Sequence, residues 1–425
     1  MAQRGIREFD GKQMMARYWK TYFGDLPAYP GKVVQVTPQT SYDQLRKDHP
    51  WLTQEKLVVK PDQLFGKRGK HGLVKVANTF DEARAWIDER MNKEVTVGKV
   101  TDQLNCFLIE PLTPHQEEFY VAIKSVRDGD VIYLSNHGGV DIESVWETVA
   151  EIKVGVGQEI KQADVEARLP IDTPPDKCSL IAGFACGLLR FYRDLAYAYL
   201  EINPFVITHN AIVPLDLVAR LDDTALFECG DRWGDISFPA PFGRRLSKEE
   251  QYIKEMDEKS GASLKLTILN PKGRVWTMVA GGGASVIYTD TIVDLGFGHE
   301  LANYGEYSGN PSTSETYQYA KTLLDLMTRE KDPQGRPKFL LIGGGIANFT
   351  DVAKTFTGIT MALKEYKQKL QEARVHIYVR RGGPNYQEGL RLMKDLGKEL
   401  GVPIEVYGPE MHMTRIVNLA LSGKS

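Results

Sequence analysis

Two glycine-rich segments of this chain each follow a short apolar strand pattern and lead into a helical pattern. The first, residues 281–285, reads Gly-Gly-Gly-Ala-Ser, and the second, residues 343–345, reads Gly-Gly-Gly. This order builds an anion site, because N–H groups at a helix N-terminus stay unpaired and glycine lets a ligand approach the backbone. With Arg380 and Arg381 ending the next strand, the duplication predicts two anions brought together rather than glycines that only turn the chain.

Charge and size favour small-molecule ligands. The chain has 425 residues, 42% of them hydrophobic, which predicts two or three domains with large cores. Its 53 Lys and Arg nearly balance its 56 Asp and Glu, so no global field attracts nucleic acid or a membrane surface. Anion binding therefore has to come from local clusters.

Cysteine usage and hydropathy indicate a cytoplasmic protein. The four cysteines (106, 178, 186 and 229) lack C-x-x-C spacing, which predicts reduced, structural thiols. The N-terminus lacks the apolar core of a signal peptide, and the longest apolar stretch, near residues 180–189, is too short to span a bilayer. We expect no association with membranes.

Strands and helices are mixed up to about residue 229. The pattern predicts an N-terminal helix, further helices at 79–90, 142–151 and 178–199, strands at 56–60, 107–109 and 118–124, and a hairpin at 200–221. Residues 230–246 are rich in Pro and Gly without periodicity, which marks a linker. We therefore predict a first domain over residues 1–245 and a second over 246–425.

The second domain alternates strands with helices. Strands are predicted at 274–280, 339–342, 376–380 and 404–407, and the clearest helices at 317–327 and 352–366. Such alternation predicts an α/β fold with a parallel sheet that binds ligands at the carboxyl ends of its strands.

A basic loop follows the strand that ends at Lys60. Residues 66–70 read Gly-Lys-Arg-Gly-Lys, and flexible glycines with flanking cations suit a polyphosphate. The Walker A pattern is absent. Since a basic turn alone is usually a solvated surface, this prediction depends on the residues around it.

A hairpin supplies the second element of a nucleotide site. If His209-Asn210 form a two-residue turn, cross-strand partners sum to 419, so Asn203 faces Asp216 on the same side of the ribbon. An amide and a carboxylate suit Mg²⁺ that also binds phosphate and water. A polar pair on a solvated hairpin face remains the alternative. Glu110 and Glu118 flank a Pro-rich turn that could form a hinge around adenine.

Together these segments resemble the acyl-CoA synthetase (succinyl-CoA synthetase-like) family, and within it the N-terminal, ATP-grasp plus citrate-binding part of the ATP-citrate lyases. The resemblance covers essentially the whole chain. It rests on Leu-Val-Val-Lys-Pro-Asp-Gln-Leu (57–64), Lys-Arg-Gly-Lys (67–70), Phe-Leu-Ile-Glu-Pro (107–111), Leu-Glu-Ile-Asn-Pro (200–204), Trp-Thr-Met-Val-Ala-Gly-Gly-Gly-Ala-Ser (276–285), Ala-Asn-Tyr-Gly-Glu-Tyr-Ser-Gly (302–309) and Val-Arg-Arg-Gly-Gly-Pro-Asn-Tyr-Gln-Glu-Gly (379–389). It implies an α+β ATP-grasp domain followed by a flavodoxin- or Rossmann-like citrate-binding domain.

The resemblance also implies roles for individual residues. ATP would be bound by Lys60, Arg68, Gly69, Glu110, Pro111, Thr113, Glu118 and Asp216, with Mg²⁺ held by Asn203 and Asp216. Citrate would be bound by Gly309, Asn348, Thr350, Tyr366 and Arg381. The helix start at Gly282, Gly283, Ala284 and Ser285 would stabilise a phosphohistidine.

The phosphorylated histidine itself is missing from the sequence. None of the eight histidines lies in the Gly-His-Ala-Gly type of loop that the family phosphorylates, and no CoA-binding domain is recognisable. We therefore expect a hetero-oligomer whose second subunit carries the phosphohistidine, the CoA-binding domain and the citryl-CoA lyase domain. CoA would then be a co-substrate bound mainly by that partner.

The expected activity is that of an ATP-citrate lyase subunit, which converts ATP, citrate and CoA to acetyl-CoA, oxaloacetate, ADP and phosphate. Three alternatives stay open at this point. The chain could be the large subunit of a citryl-CoA synthetase without cleavage activity, the beta subunit of a succinate- or malate-CoA ligase, or a non-catalytic subunit that senses ATP and citrate.

Overall fold

The computed structural model describes residues 3–139 and 146–422. The chain divides into two compact units, Met1–Arg245 and Leu246–Ser425. Residues 234–247, where the boundary falls, contain no helix or strand. None of the described helices is both long enough and apolar enough to cross a membrane.

An antiparallel sheet of seven strands forms the larger part of the first unit. Its order is β1 (Gln3–Ile6), β13 (Leu217–Asp222), β11 (Tyr197–Ile207), β8 (Phe119–Val126), β9 (Gly129–Ser135) and β10 (Ala150–Gly155), with β12 (Ile212–Pro214) paired to β11. Helix α6 (Cys178–Asp194) covers this sheet with Ile181, Phe184 and Leu188, which recur every three or four residues and are buried. Burial of these apolar side chains stabilises the sheet, and strand β11 of this sheet forms the first arm of the hairpin.

A smaller antiparallel sheet of four strands completes the first unit. Its order is β2 (Val34–Val36), β7 (Phe107–Pro111), β3 (Leu57–Pro61) and β4 (Lys75–Ala77), and a ribbon of β5 (Glu94–Val97) and β6 (Val100–Gln103) lies outside it. Helix α4 (Phe80–Arg90) starts where the Thr79 side chain accepts a hydrogen bond from the Glu82 N–H. Phe80, Ala83 and Ile87 of this helix are buried in the core of the small sheet.

Among the described residues, five further α-helices belong to the first unit. They are α1 (Glu8–Arg17), α2 (Trp19–Phe23), α3 (Tyr42–Asp48), α5 (Gln162–Glu166) and α7 (Leu226–Trp233). Helix α1 is unusual because charged residues lie on its buried face: Glu8 and Lys12 are buried beside Gly11, Met14 and Met15.

The second unit contains a six-stranded sheet that is parallel except at one edge. Its order is β14 (Ser263–Ile268), β16 (Asn303–Ser308), β15 (Val275–Ala280), β17 (Lys338–Gly344), β18 (Val375–Arg380) and β19 (Ile404–Tyr407), with β14 antiparallel. The helices are α8 (Lys248–Lys259), α9 (Gly282–Ile292), α10 (Thr313–Thr328), α11 (Val352–Glu365), α12 (Lys367–Glu372), α13 (Tyr386–Leu400) and α14 (Arg415–Ser422). Capping boxes at Ser247 and Ser312 start α8 and α10.

The two glycine segments end neighbouring strands of this sheet. Strands β15 and β17 pair in parallel, and Ala280 lies beside Gly344. Helix α9 follows β15 and packs in the core that includes Tyr288 and Ile292, whereas α11 follows β17 and packs in a different core, with Phe356 and Ile359. Helices that leave adjacent parallel strands toward opposite faces create a topological switch point, which is where ligands bind in open α/β sheets.

The sequence predictions and the structure differ at several places. The helix predicted to reach residue 199 ends at Asp194, because β11 begins at Tyr197 and pairs on both sides. Of the helix predicted over 142–151, residues 142–145 lie outside the described residues, and Ala150 already belongs to β10. Strands β14 and β16 were not predicted. Residues 303–308 of β16 alternate tyrosines with polar residues and glycine rather than forming an apolar run.

Gly358 lets α11 approach α10 at backbone distance. A Cβ atom at Gly358 would lie 2.4 Å from the Thr313 carbonyl oxygen, so we expect Gly358→Ala to lower the free energy of unfolding by about 1–3 kcal/mol despite the better helix propensity of alanine. Denaturant unfolding measures this change.

Gly230 in α7 provides a matched control for that substitution. A Cβ atom there would come no closer than 3.5 Å to a side-chain atom, so Gly230→Ala should be neutral or slightly stabilising. Equal effects of the two substitutions on the free energy of unfolding would contradict the close helix contact.

Candidate functional sites

A cavity of about 430 Å³ in the first unit gathers most of the residues predicted to bind ATP. Strand β3 contributes Lys60, β7 contributes Glu110, and the hairpin contributes Asn203 and Asp216. The predicted residues in its wall are Lys60, Arg68, Gly69, Glu110, Pro111, Thr113, Asn203 and Asp216. The cavity therefore joins the small sheet, the basic loop and the large sheet.

Glu118 is the predicted nucleotide residue that does not line this cavity. It contacts the cavity through His115, whose Nε2 lies 3.1 Å from Glu118 Oε1 and whose Nδ1 lies 2.7 Å from the Thr113 carbonyl oxygen. His115 was not predicted from the sequence. Its position two residues after Thr113 in the Pro-rich turn was the available signal.

The hairpin has the register that the two-residue turn predicts. Thr208 N–H donates to the Ala211 carbonyl over 2.8 Å, Val206 pairs with Val213, and Asn203 N–H donates to the Asp216 carbonyl over 3.0 Å. Because directly opposed residues of an antiparallel pair share a face, the Asn203 and Asp216 side chains both reach the cavity.

Asn203 and Asp216 form a donor set that fits Mg²⁺. Asn203 Oδ1 accepts a hydrogen bond of 2.6 Å from the Gly139 N–H, and the Asp216 carboxylate pairs with Arg68. Amide and carboxylate oxygens are hard ligands. Among the described residues no group of three or more His, Cys, Asp or Glu forms a metal cluster, so an ion here would take its other ligands from phosphate and water.

Two residues of α1 lie behind the cavity and organise its charges. The Glu8 carboxylate pairs with Lys12 at 2.7 Å, with Lys60 at 2.8 Å and with Arg68 at 2.6 Å. Lys12 in turn pairs with Glu110 at 2.5 Å, and Lys60 pairs with Glu110 at 2.9 Å. Burial alone would raise the pKa of Glu8, but the charges of Lys12, Lys60 and Arg68 outweigh it and hold that pKa well below the ordinary value.

The pKa values of the cations in this network are shifted in the opposite direction. Burial disfavours the charged forms of Lys12 and Arg68, yet neighbouring carboxylates raise both pKa values above their usual range. The carboxylates are Glu110 and Glu8 for Lys12, and Asp216 and Glu8 for Arg68. These shifts keep Glu8, Lys12 and Arg68 ionised in the folded protein.

Sequence reasoning missed Glu8 and Lys12. The available signal was their spacing: Glu8, Lys12 and Met15 follow the i, i+4, i+7 pattern of one helix face, and that face is otherwise apolar. A charged pair on such a face requires buried partners of opposite sign.

The second unit contains a buried arginine without a carboxylate partner. Arg381 is 3% exposed, its Nη1 donates to the Gly345 carbonyl over 2.7 Å, and within the described part of the chain its Nε has no hydrogen-bond partner. Burial lowers the pKa of Arg381, and Tyr307 and Tyr288, rather than carboxylates, are the groups that oppose this shift. Within the described residues, the buried Tyr307 hydroxyl has Arg381 as its neighbouring polar side chain and no other hydrogen-bond partner. An anionic ligand would satisfy both groups.

Arg380 has a different function from its neighbour. Its guanidinium donates to the Gly344 carbonyl at 2.9 Å, the Met411 carbonyl at 3.0 Å and the Pro409 carbonyl at 3.2 Å. These bonds tie the glycine segment of β17 to the segment after β19.

Three loops at the carboxyl ends of the strands meet near Arg381. Ala347 N–H donates to the Gly382 carbonyl over 2.9 Å, and Asp351 N–H donates to Asn310 Oδ1 over 3.3 Å. These contacts bring the loops that carry Asn348, Thr350 and Gly309 to the same edge of the sheet. Asn348 and Gly309 are exposed there, whereas Thr350 is buried.

Tyr366 is not at this edge. It follows the last residue of α11, a helix of 14 residues that starts beside Thr350, and such a helix is about 20 Å long. The Tyr366 hydroxyl donates instead to Asp325 Oδ1 of α10 over 3.4 Å. The structure therefore does not bring Tyr366 together with the other four residues predicted to bind citrate.

Helix α9 begins at Gly282, after Gly281 with a φ of 100°. Ser285 is buried, and its hydroxyl donates to the Gly305 carbonyl over 3.0 Å, so this side chain faces the sheet. Glu306 of β16, which was not predicted, lies beside the helix start, because a Cβ atom at Gly282 would be 2.9 Å from Glu306 Oε2. The N–H groups of the first turn are the groups that the sequence predicts to bind an anion there.

Comparison with known proteins agrees with this architecture. The profile of the ATP-citrate synthase ATP-grasp domain matches residues 2–233, and that of the ATP citrate lyase citrate-binding domain matches residues 244–423. The fold and the sites thus define an ATP-grasp protein with an appended citrate-binding α/β domain. The chain belongs to the ATP-citrate synthase family, which confirms the resemblance and the fold class inferred from the sequence.

Relatives of two lengths match almost the whole chain. ATP-citrate synthase of Homo sapiens is 52% identical over 423 residues, which cover 99% of this chain but 38% of the human protein. ATP-citrate synthase alpha chain protein 2 of Arabidopsis thaliana is 48% identical over 424 residues, which cover 99% of this chain and 98% of the plant protein. This chain therefore spans well under half the length of its animal relatives.

A solved structure shows the same fold. It is the ATP citrate lyase from Methanothrix soehngenii in complex with citrate and coenzyme A, which is 58% identical and has a TM-score of 0.90. The match covers 99% of this chain and 100% of that chain.

The low pKa of Glu8 makes the stability of the first unit depend on pH in one direction. Because this pKa is lowered from 4.5, the ion pairs of Glu8 stabilise the folded state above about pH 4.5, and that contribution is lost as the pH falls toward the folded-state value. We expect wild type to be more stable than Glu8→Gln near pH 6, and the difference to shrink as the pH approaches about 3. Denaturant unfolding at several pH values measures it, and a difference independent of pH would contradict the assignment.

Proposed function

We propose that this chain is the component of an ATP-citrate lyase that binds Mg-ATP and citrate and activates citrate. The complete reaction converts ATP, citrate and CoA to acetyl-CoA, oxaloacetate, ADP and phosphate. The observation that carries the proposal is the buried Arg381 at the switch point, whose charge is balanced by no carboxylate among the residues that the structure describes. A tricarboxylate supplies that missing charge and has further oxygens for neighbouring donors.

In the second unit we propose a citrate site of Arg381, Asn348, Thr350 and Gly309. Arg381 would grip one carboxylate, and the Asn348 amide and Thr350 hydroxyl would bind further oxygens. Gly309, with a φ of 73°, holds a loop conformation that a residue with a side chain would strain. Because of its position, Tyr366 is left out of this proposed site.

In the first unit we propose that the triphosphate lies against Lys60, Arg68 and Gly69. Glu110, Pro111 and Thr113 would line the adenosine pocket, with Glu118 acting through His115. Asn203 and Asp216 would hold Mg²⁺, which when bound neutralises charge on the phosphate oxygens.

The proposed reaction starts with transfer of the γ-phosphoryl group of ATP to a histidine on a partner subunit or domain. Lys60 and Arg68 stabilise the charge that develops on the phosphate oxygens. The phosphohistidine then meets the N–H groups at Gly282, Gly283 and Ala284, and a citrate carboxylate takes the phosphoryl group to give citryl phosphate. CoA displaces phosphate to form citryl-CoA, which is cleaved to acetyl-CoA and oxaloacetate.

The histidine, the CoA site and the cleavage site are proposed to belong to a second subunit or domain. The matched Arabidopsis thaliana protein is an alpha chain of similar length, whereas the match in Homo sapiens is part of a longer protein. A citryl-CoA synthetase would share every site proposed here and differ only in releasing citryl-CoA. Formation of oxaloacetate by the assembled enzyme distinguishes the two.

Replacing Arg381 tests the citrate site. We expect Arg381→Ala to weaken citrate binding by at least about tenfold, because charge-assisted hydrogen bonds to a carboxylate are lost. Calorimetric titration of the purified chain with citrate measures the affinity, and Mg-ATP binding should stay unchanged.

The same unit offers two comparisons for that experiment. Arg391 on α13 pairs only with the exposed Glu388 and Asp395, so Arg391→Ala should bind citrate like wild type. Tyr366→Phe should also leave the affinity unchanged, because its hydroxyl faces Asp325. Wild-type affinity in Arg381→Ala would refute the site, and weakened binding in Tyr366→Phe would restore Tyr366 to it.

Replacing Asp216 tests the metal site. In Asp216→Asn, binding of ATP with Mg²⁺ should weaken by about tenfold or more, because a charged ligand of the ion is lost. Binding of ATP without Mg²⁺ should not weaken, because Arg68 loses its competing carboxylate. Titrations with and without a chelator separate the two effects.

Asp130 provides the matched control for Asp216. It pairs with Arg193 at 2.7 Å and lies outside the cavity, so Asp130→Asn should change neither titration. Equal losses for Asp216→Asn with and without Mg²⁺ would argue against metal ligation.

A further inference from the structure

Lys12 is the most completely buried cation beside the nucleotide cavity, yet it does not line it. Its relative exposure is 0%, and the cavity wall is formed by Lys60 and Arg68 instead. Lys12 donates to Glu110 at 2.5 Å, pairs with Glu8 at 2.7 Å and donates to the Leu215 carbonyl at 3.2 Å. Two of these partners, Glu110 and Leu215, line the cavity.

The ion pairs of the two cations that face the phosphates, Lys60 and Arg68, can be counted. Two carboxylates, Glu8 and Glu110, pair with the phosphate-facing Lys60, and Glu8 also pairs with Arg68. Without Lys12 these two carboxylates would fully neutralise the two cations. With Lys12 the cluster keeps one surplus positive charge, and the negatively charged triphosphate requires such a charge.

Two other carboxylates, Asp216 and Asp62, lie beside these ion pairs. Asp216 pairs with Arg68 in this structure and is the residue proposed to exchange that partner for Mg²⁺. Asp62 accepts from the Glu8 N–H at 3.0 Å and from the Gln35 amide at 3.0 Å, and its charge acts on Arg68 but is also opposed by Arg7.

We infer that Lys12 is a positioning residue that neutralises Glu8 and Glu110 from behind, so that Lys60 and Arg68 present a net positive charge to the nucleotide phosphates. The inference rests on the proposed nucleotide site. Lys12 acts without touching the nucleotide. It also anchors the hairpin strand next to Asp216, because both Lys12 and Lys60 donate to the Leu215 carbonyl.

A charge cycle on the full chain tests the inference. Lys12→Met removes the surplus and should weaken Mg-ATP binding by about tenfold or more. The double variant Glu8→Gln/Lys12→Met restores it and should bind within about threefold of wild type. Glu8→Gln alone adds one positive charge and should bind at least as tightly as wild type, since Lys60 keeps Glu110 and Arg68 keeps Asp216 as partners.

A purely structural role for Lys12 predicts a different outcome. Loss of packing or of an anchor would not be repaired by a second substitution, so the double variant would bind as weakly as Lys12→Met or worse. The matched control is Lys338→Met in the second unit. Lys338 is 2% exposed and donates to the carbonyls of Met327 and Glu330, so this variant should bind Mg-ATP like wild type.

Calorimetric titration with Mg-ATP and with a non-hydrolysable analogue provides the readout, and circular dichroism confirms that each variant is folded. If wild type does not bind Mg-ATP, the proposed nucleotide site itself fails. If wild type binds, then unchanged affinity in Lys12→Met, or no recovery in the double variant, overturns the role of Lys12. If Lys12→Met does not fold, Glu8→Gln decides: tighter or equal binding supports the inference, and a tenfold loss overturns it.

Discussion

The first unit depends on a buried network of ion pairs between helix α1 and the strands and loop around it. Glu8 of α1 contacts Lys12, Lys60 and Arg68 at 2.6–2.8 Å, and burial without partners would make each of these ions prohibitively costly. The network therefore fixes α1, β3, the basic loop and the hairpin relative to one another. The same contacts leave the faces of Lys60 and Arg68 turned toward the cavity.

The two units solve the problem of anion binding in opposite ways. In the first unit the cations are already paired with carboxylates, so a nucleotide would have to exchange partners with them. In the second unit no described carboxylate pairs with the buried Arg381, whose neighbours include the Gly345 carbonyl and two tyrosines. A pre-paired site suits a ligand that arrives with its own cation, whereas an unpaired arginine suits a free carboxylate.

Rules that relate residues close together in the sequence predicted the features that depend only on such neighbours. A two-residue turn sets the register of a hairpin, so the pairing of Asn203 with Asp216 followed from arithmetic, and strand–glycine–helix order located the switch point. Glu8 and Lys12 were not assigned to the site in this way, because their ion-pair partners are up to 60 and 98 positions away, respectively. Family resemblance placed Tyr366 with Arg381, but it carries no information on how far α11 extends.

Arg380 and Arg381 are adjacent in sequence and serve unrelated purposes. Each guanidinium nitrogen of Arg380 donates to a carbonyl, that of Gly344, Pro409 or Met411. In contrast, Arg381 Nε donates to no described residue. If citrate binds as proposed, Arg380 supports the architecture and Arg381 the selectivity. An engineer seeking to redirect this scaffold to another organic acid could vary the second arginine and its surroundings while the first preserves the frame.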